Sequence, residues 1–189
     1  GDVYKRQILR CVEEKKLALK ISAYDKSLKV NEYLKKNFSV EICTNISDVV
    51  KDSDLVIIAG RPSMGKTALA TNIAFHAAKK NSDDNKKSVV AFFSLEMSSE
   101  QLSTRIISEQ SRIKSNDIRR GKVTEEEFNR LIETSRSIHQ LPLYIDETPA
   151  ITISTLSNRA RRIKRLFGLD LIVVDYIQLM ATGSKRYEG

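Results

Sequence analysis

The sequence predicts an α/β fold with a mainly parallel sheet, and three observations support that prediction. Segments with strand-like and helix-like patterns alternate along the chain. Three of the strand-like segments contain continuous apolar runs, VIIA, VVAFF and LIVV, which are typical of parallel strands covered by helices on both faces. A glycine-rich loop lies between the first of these runs and a helix-like segment. Strands that alternate with helices in this way favour a parallel sheet.

The bulk properties are those of a globular chain in a reducing compartment. The 189 residues are 41% hydrophobic, which suffices for the core of one domain or slightly more. No apolar run has the length of a membrane span, and the N-terminus lacks the pattern of a secretory signal. Cys11 and Cys43 have no metal-binding spacing. We therefore expect a cytoplasmic protein with no membrane partner, and the net charge of +8 gives only mild support for a polyanionic one.

Before the glycine-rich loop, the pattern predicts three strands and two helices. Residues 17–24 and the segment VEICTN have strand-like patterns. Between them, KSLKVNEYLKKNF places Val30, Tyr33 and Leu34 on one helical face. ISDVVKDS predicts a short helix, and DLVIIAG predicts a buried strand of the parallel sheet because it is apolar on every side.

After the loop, the pattern predicts four helices and three strands. One helix follows the loop through about Ala78, and VVAFFSLE, LPLYIDE and LDLIVVDYIQLM are the expected strands. Ser98 with Gln101, and Thr124 with Glu127, form capping-box pairs that predict the starts of two helices. The last helix is expected over about 154–167. The helix that begins at Thr124 is expected to bury the face formed by Phe128, Leu131, Ile132 and Ile138.

The glycine-rich loop matches the pattern GxxxxGK[ST] and lies between a strand and a helix, as phosphate binding requires. Its residues are Gly60, Arg61, Pro62, Ser63, Met64, Gly65, Lys66 and Thr67. Glycines allow backbone N–H groups and the helix N-terminus to approach phosphate oxygens closely. We expect Lys66 to bridge the β and γ phosphates of ATP and the Thr67 hydroxyl to hold Mg²⁺.

Two carboxylates and one amide complete the predicted site. Asp175 follows four apolar strand residues and is expected to be a second protein ligand of Mg²⁺, the alternative being a carboxylate that only caps a turn. Glu96 closes the strand VVAFFSL and is the best-placed residue to orient or deprotonate water. Its alternative role is that of an acid at a helix entry, favoured by the helix dipole. Gln178 is a candidate for sensing the γ-phosphate.

The other polar features have plainer interpretations. His76 and His139 are far apart in sequence and have no metal-ligating partners, so we expect structural roles for both. A basic run near the end of the chain is interpreted as a solvated helix face, with contact to DNA as the alternative. That run consists of Arg159, Arg161, Arg162, Lys164 and Arg165.

The motifs GRPSMGKT, FSLEMS and VDYIQLM, in this order, resemble the C-terminal RecA-like domain of DnaB-type replicative helicases. The resemblance runs from about Ser53 to Lys185. It implies that Glu96 is the catalytic base and that Gln178 contacts the γ-phosphate. It also implies an ATP-driven homohexamer that moves along single-stranded DNA and unwinds fork DNA, with primase and a helicase loader as expected partners.

The first part of the chain resembles a different family. Residues 8–58 are similar to part of the dinucleotide-binding domain of pyrroline-5-carboxylate reductases, with Asp25 near the cofactor ribose. The glycine-rich pyrophosphate loop expected before Ile8 is not in the sequence, so we do not expect dinucleotide binding. Residues 1–7 resemble a translated sequencing adapter, with a misassembled reading frame favoured over a natural fusion. These resemblances predict an adapter-derived tail at 1–7, a partial Rossmann-like fragment at 8–54 and the helicase ATPase domain at 55–189.

Several parts of such helicases do not occur in this sequence. The resemblance implies an N-terminal helical domain, a linker helix, later DNA-binding loops and an arginine finger, none of which we find. We therefore expect the chain by itself to be inactive in unwinding. The alternatives are a non-catalytic nucleotide-binding fragment and the remnant of an NAD(P)-dependent reductase. Among P-loop proteins the nearest alternative is a RecA-type recombinase, against which FSLEMS and VDYIQLM argue.

Overall fold

The structure, a computed structural model, describes residues 21–23, 25, 27–50, 53–58, 63–79 and 88–181. The chain divides into two compact units, Gly1–Lys66 and Thr67–Gly189. Several of the expectations above fall outside the described residues. These include the tail at 1–7, residues 8–20 of the reductase-like fragment with the start of the strand expected over 17–24, the first part of the phosphate loop, Gly60, Arg61 and Pro62, and the end of the ATPase domain at 182–189.

The first unit contains a small parallel strand–helix–strand arrangement. Its elements are β1 (Ser22–Ala23), α1 (Leu28–Asn37), β2 (Glu41–Ile42) and the short helix α2 (Ile46–Val50). β1 and β2 pair in parallel, and the backbone N–H of Glu41 donates to the carbonyl of Ile21 at 2.9 Å. On α1, Leu34 is buried whereas Tyr33 is exposed. The predicted strand–helix–strand arrangement with parallel strands is therefore confirmed, although its strands are short.

The prediction of a buried strand at DLVIIAG is wrong for the described residues 53–58. Residues 55–58 form no strand, and their apolar side chains are exposed, with 75% of Leu55 accessible to solvent. An apolar run specifies a strand only if a neighbouring strand pairs with its N–H and C=O groups. No ladder includes 55–58 among the described strands. The sequence pattern identified the apolar character of this segment but not its pairing.

The second unit is a three-stranded parallel sheet with helices on both faces. The sheet order is β4-β3-β5, with β3 in the centre and both pairings parallel. This confirms the predicted α/β class with a parallel sheet. The elements are α3 (Lys66–Lys79), β3 (Val90–Ser94), α4 (Ser99–Ser111), α5 (Ser115–Arg120), α6 (Glu125–His139), β4 (Leu143–Asp146), α7 (Ile153–Phe167) and β5 (Leu171–Asp175).

The core of the second unit forms around the central strand. All five residues of β3 are buried, and successive side chains point to opposite faces of the sheet. On one face, Val90 and Phe92 pack in a cluster with residues of α3 and α4. On the other face, Ala91 and Phe93 pack with Leu156 of α7. This explains why the segment VVAFF is apolar without alternation.

The starts of α4 and α6 confirm both predicted capping boxes. The Ser98 hydroxyl accepts from the Gln101 N–H, and the Gln101 side chain accepts from the Ser98 N–H, each at 3.2 Å. Thr124 and Glu127 make the same reciprocal pair at the start of α6. These bonds satisfy backbone donors that have no partner within the helix.

Two details of the second unit differ from the expectations. The expected buried face of α6 is only partly buried: Phe128 is 54% exposed, whereas Leu131, Ile132 and Ile138 are half-buried. The strand expected over LDLIVVDYIQLM ends at Asp175, and a 3₁₀-helix follows over Ile177–Leu179. β5 ends there because its partner β3 ends at Ser94, which is the residue opposite Asp175. Among the described helices, none is long and apolar enough to cross a membrane.

We predict that Phe92→Ala destabilises the chain by about 3–5 kcal/mol, because it leaves a cavity in the middle of the core. Phe92 is 2% exposed and belongs to the central strand. The matched control is Phe128→Ala, which removes the same side chain from an exposed position and should cost less than about 1 kcal/mol. Urea denaturation followed by circular dichroism measures both. Equal losses for the two variants would contradict the packing described here.

Candidate functional site

The described part of the phosphate loop has the backbone conformation of a tight turn before a helix. Ser63 and Gly65 have positive φ angles of 62° and 80°. A Cβ atom added at Gly65 would meet no other atom within 4 Å, so space does not require a glycine at this position. The positive φ does favour glycine, because residues with a side chain rarely adopt it. α3 begins at the next residue, Lys66, and Thr67 lies in its first turn. A helix N-terminus after such a turn is suited to bind a phosphate group.

The carboxyl end of the sheet collects acidic residues from all three strands. Asp175 is the last residue of β5 and lies opposite Ser94 of β3, two positions before Glu96. Asp146 is the last residue of β4 and lies opposite Phe93. The backbone N–H of Leu95 donates to the carbonyl of Asp175 at 2.7 Å, which extends the ladder to the residue before Glu96. Parallel strands therefore bring Glu96 and Asp175 to the same edge, where ligands of α/β sheets bind.

Asp175 has a buried carboxylate whose environment indicates a ligand at this edge. It is 5% exposed, and its Oδ2 atom is buried with no hydrogen-bond partner among the described residues. A buried carboxylate oxygen without a partner is costly, so it indicates a donor or a cation at this position. Carboxylate oxygens are ligands that Mg²⁺ prefers, so the Asp175 carboxylate fits the predicted role of a metal ligand.

The turn that carries Glu96 is closed by hydrogen bonds. The Ser94 hydroxyl donates to the carbonyl of Met97 at 2.6 Å, and the Met97 N–H donates back to it at 3.3 Å. The N–H of Ser99, at the start of α4, donates to the carboxylate of Glu147. Backbone and side-chain hydrogen bonds from Ser99 hold the pKa of Glu147 below its usual range. The side chain of Glu96 itself is exposed.

A second carboxylate at this edge is engaged in an ion pair. Arg159 on α7 donates from the same nitrogen to Asp146 and to the Thr148 hydroxyl, each at 2.5 Å. Partial burial raises the pKa of Asp146, but the hydrogen bonds from Arg159 and Thr148 and the charge of Arg159 outweigh it, so the pKa is lowered. The interpretation of the basic run as a solvated face is therefore wrong for Arg159. Arg161, Arg162, Lys164 and Arg165 are exposed, and for them a solvated face and contact with DNA both stay predictions.

The remaining predicted site residues are placed as follows. Gln178 is exposed on the 3₁₀-helix, three residues after Asp175. Met64 is exposed in the phosphate loop, and Lys66 is half-buried. The roles of all these residues in binding and catalysis stay predictions. Sequence reasoning missed Asp146 and Glu147. They lie at the end of the strand LPLYID and just after it, as Asp175 and Glu96 lie at the ends of the other two strands.

Comparison with known proteins identifies the family. The family model described as "DnaB-like helicase C terminal domain" matches residues 44–188, which is most of the chain. The chain belongs to this family. The match includes α2 and the segment 53–58, and it spans the phosphate loop, Glu96 and Asp175.

The relatives and solved structures of this family agree with the match. The replicative DNA helicase DnaB of Rickettsia typhi (strain ATCC VR-144 / Wilmington) is 41% identical over 180 residues, which cover 89% of this chain and 35% of the relative. A solved structure described as an "ATPase Domain" superposes with a TM-score of 0.59 at 25% identity, covering 67% of this chain and 44% of that one. A DnaB-like replicative helicase, described with its interactions with primase, gives a TM-score of 0.58 at 26% identity, with 67% and 30% covered. The chain thus spans about a third of the length of the curated relative, and the second unit has the RecA-like fold of the family.

We predict that Arg159→Met lowers the free energy of unfolding by about 1 kcal/mol at pH 7, because it breaks a partly buried ion pair. The folded-state pKa of Asp146 lies below the ordinary value of 3.8, so the pair stabilises the fold above that value. Its contribution is lost as the pH falls through the lowered pKa. The difference between parent and variant should therefore shrink in acid.

Denaturant unfolding at pH 7 and at a series of pH values that fall progressively below 3.8 measures this effect. The control is Arg165→Met on the same helix, since Arg165 is exposed and makes no salt bridge within the described residues. It should show little change at any of these pH values. A loss for Arg159→Met that is the same at all of them would contradict the role of the pair.

Proposed function

We propose that this chain contains the ATP-binding and ATP-hydrolysing motor domain of a replicative DNA helicase. The observation that carries this proposal is the Oδ2 atom of Asp175, which is buried and has no hydrogen-bond partner among the described residues. Asp175 ends β5, which pairs with β3, and Glu96 follows β3. The two carboxylates at this sheet edge have different environments, one with a buried oxygen and one exposed, which permits different roles. The family match supports the same function.

The proposed roles follow from the chemistry of each residue. The loop from Gly60 to Thr67 binds the phosphates of ATP, with Lys66 placing a positive charge between the β and γ groups. The Thr67 hydroxyl and the Asp175 carboxylate hold Mg²⁺, which neutralises phosphate charge when bound. Mg²⁺ usually takes only one or two carboxylates from a protein and its other ligands from phosphate and water.

Glu96 is proposed to act as the general base of hydrolysis. Its carboxylate is exposed and makes no hydrogen bond or ion pair with the described residues, so it is available to a water molecule. The two acidic side chains at the end of β4 and just after it are already engaged, Asp146 with Arg159 and Glu147 with Ser99. Gln178 is proposed to contact the γ-phosphate from the segment that follows Asp175.

The proposed partners come from the family. We propose that the motor works as a homohexamer in the cytoplasm, on single-stranded DNA and fork DNA, with primase and a helicase loader as further partners. The solved DnaB-like helicase described with primase supports the primase proposal. We further propose that the ATPase domain occupies 55–189 and that 8–54 is a separate Rossmann-like fragment. The two-stranded sheet β1–β2 supports a separate fragment, and the family match begins at residue 44, just after this sheet.

We predict that Lys66→Ala weakens binding of Mg-ATP by about 10- to 150-fold, since each hydrogen bond to a charged group contributes about 1.5–3 kcal/mol. Titration with a fluorescent ATP analogue measures the dissociation constant. The matched control is Lys79→Ala at the other end of the same helix, where the ammonium lies 5.6 Å from the centre of the Phe75 ring. Equal affinity of the parent and the Lys66 variant would refute the assignment of the phosphate loop.

We also predict that Glu96→Gln keeps the affinity for Mg-ATP and slows hydrolysis by about 100-fold or more, because a general base contributes about 10²- to 10⁴-fold. Single-turnover hydrolysis with protein in excess over ATP provides the measurement. Glu100→Gln is the control, as Glu100 is an exposed acid in the first turn of α4. If both variants hydrolyse ATP at the parent rate, Glu96 is not the base.

A further inference from the structure

We propose that Ser94 and Glu147 are positioning residues that hold the turn carrying Glu96 in the geometry needed for hydrolysis. The inference rests on the proposed function, because it assigns their effect to the reaction of Glu96. Neither residue belongs to the phosphate loop or to the predicted magnesium site. Their role is argued from the hydrogen bonds around residues 94–99.

Ser94 closes the turn from inside. Its side chain is 1% exposed at the end of the central strand, where an apolar residue would continue the core. The hydroxyl instead donates to the Met97 carbonyl and accepts from the Met97 N–H, at 2.6 and 3.3 Å. A single buried hydroxyl therefore satisfies both backbone groups of the residue after Glu96. Alanine at this position would leave both groups without that partner.

Glu147 holds the turn from the neighbouring strand. It follows β4, and its carboxylate accepts from the N–H of Ser99, a residue 48 positions earlier in the chain. Ser99 is the first residue of α4, so the negative charge also lies at the favourable, positive end of the helix dipole. This bond connects the start of α4 to the end of β4.

The third restraint comes from β5. The Leu95 N–H donates to the carbonyl of Asp175 at 2.7 Å, next to the predicted metal ligand. The backbone on both sides of Glu96 is thus held by β5, by Ser94 and by Glu147. The Glu96 side chain has no bond of its own within the described part of the chain, so its direction depends on this backbone. A displacement of about 1 Å in a reacting group is enough to slow catalysis by about 100-fold.

The test compares Ser94→Ala, Glu147→Ala and Glu147→Gln in the full 189-residue chain. Glutamine keeps an oxygen that can accept from Ser99 but removes the charge, so it is the conservative replacement. Glu133→Ala is the control, because Glu133 is an exposed acid on α6. Three measurements are made on each chain: hydrogen exchange of the amides at 95–99, affinity for a fluorescent ATP analogue, and the single-turnover rate of ATP hydrolysis.

We expect exchange at 95–99 to become at least about 10-fold faster in Ser94→Ala and Glu147→Ala, while the strands β3 and β5 keep their protection. Hydrolysis should slow by about 10- to 100-fold with ATP affinity unchanged within about twofold. In Glu147→Gln, both the exchange at 95–99 and the rate of hydrolysis should stay close to the parent values. Glu133→Ala should match the parent. A split between hydrolysis and affinity is not expected of a change that only destabilises the fold.

Two results overturn the proposal. One is unchanged exchange at 95–99 in both alanine variants, and the other is faster exchange with hydrolysis at the parent rate. If one alanine variant loses protection throughout the chain, the other alanine variant decides: its exchange at 95–99 must be faster than that of the parent while β3 and β5 keep their protection. A parent chain that binds no ATP, or binds it without hydrolysis, contradicts the proposed function instead, and the exchange data alone then decide whether the two residues hold the turn.

Discussion

The parallel pairing of β3 with both neighbours is the interaction on which the second unit depends. β3 forms ladders with β4 and β5 and buries every one of its side chains. Its two faces supply the centres of two apolar clusters, one with α3 and α4 and the other with α7. Removing this strand would expose both clusters at once, so the packing of these helices depends on it.

The same pairing determines where the acidic residues lie. In parallel strands all carboxyl ends meet at one edge, and the register Ser94↔Asp175 and Phe93↔Asp146 places the three strand ends level with each other. The acids nevertheless have different environments. Within the described residues, Asp175 is buried with one unpartnered oxygen, Asp146 is bound to Arg159, and Glu147 is bound to the start of α4. The exposed Glu96 is left to meet solvent, and this division of environments is what allows different chemical roles at one edge.

Local hydrogen bonds then refine the geometry that the sheet provides. The end of a strand does not by itself fix the conformation of the turn that follows it. Here hydrogen bonds to Ser94 and Glu147 hold that turn. α4 in turn starts with a complete capping box, which satisfies backbone N–H groups of its first turn. Residues outside the proposed catalytic set, Ser94 and Glu147, can in this way direct the side chain that we propose as the general base.

The sequence by itself determined the features that depend on local pattern and chemistry. The capping boxes at Ser98 and Thr124, the apolar central strand and the turn conformation at Gly65 follow from residues close to each other in the chain. Only the tertiary structure decided which strands pair, since that depends on partners far away in sequence. The apolar segment 55–58 is therefore exposed and unpaired among the described strands, against the expectation from its composition. For the same reason the bond from Arg159 to Asp146 and the bond from Ser99 to Glu147 were missed: each joins residues that only the folded chain brings together.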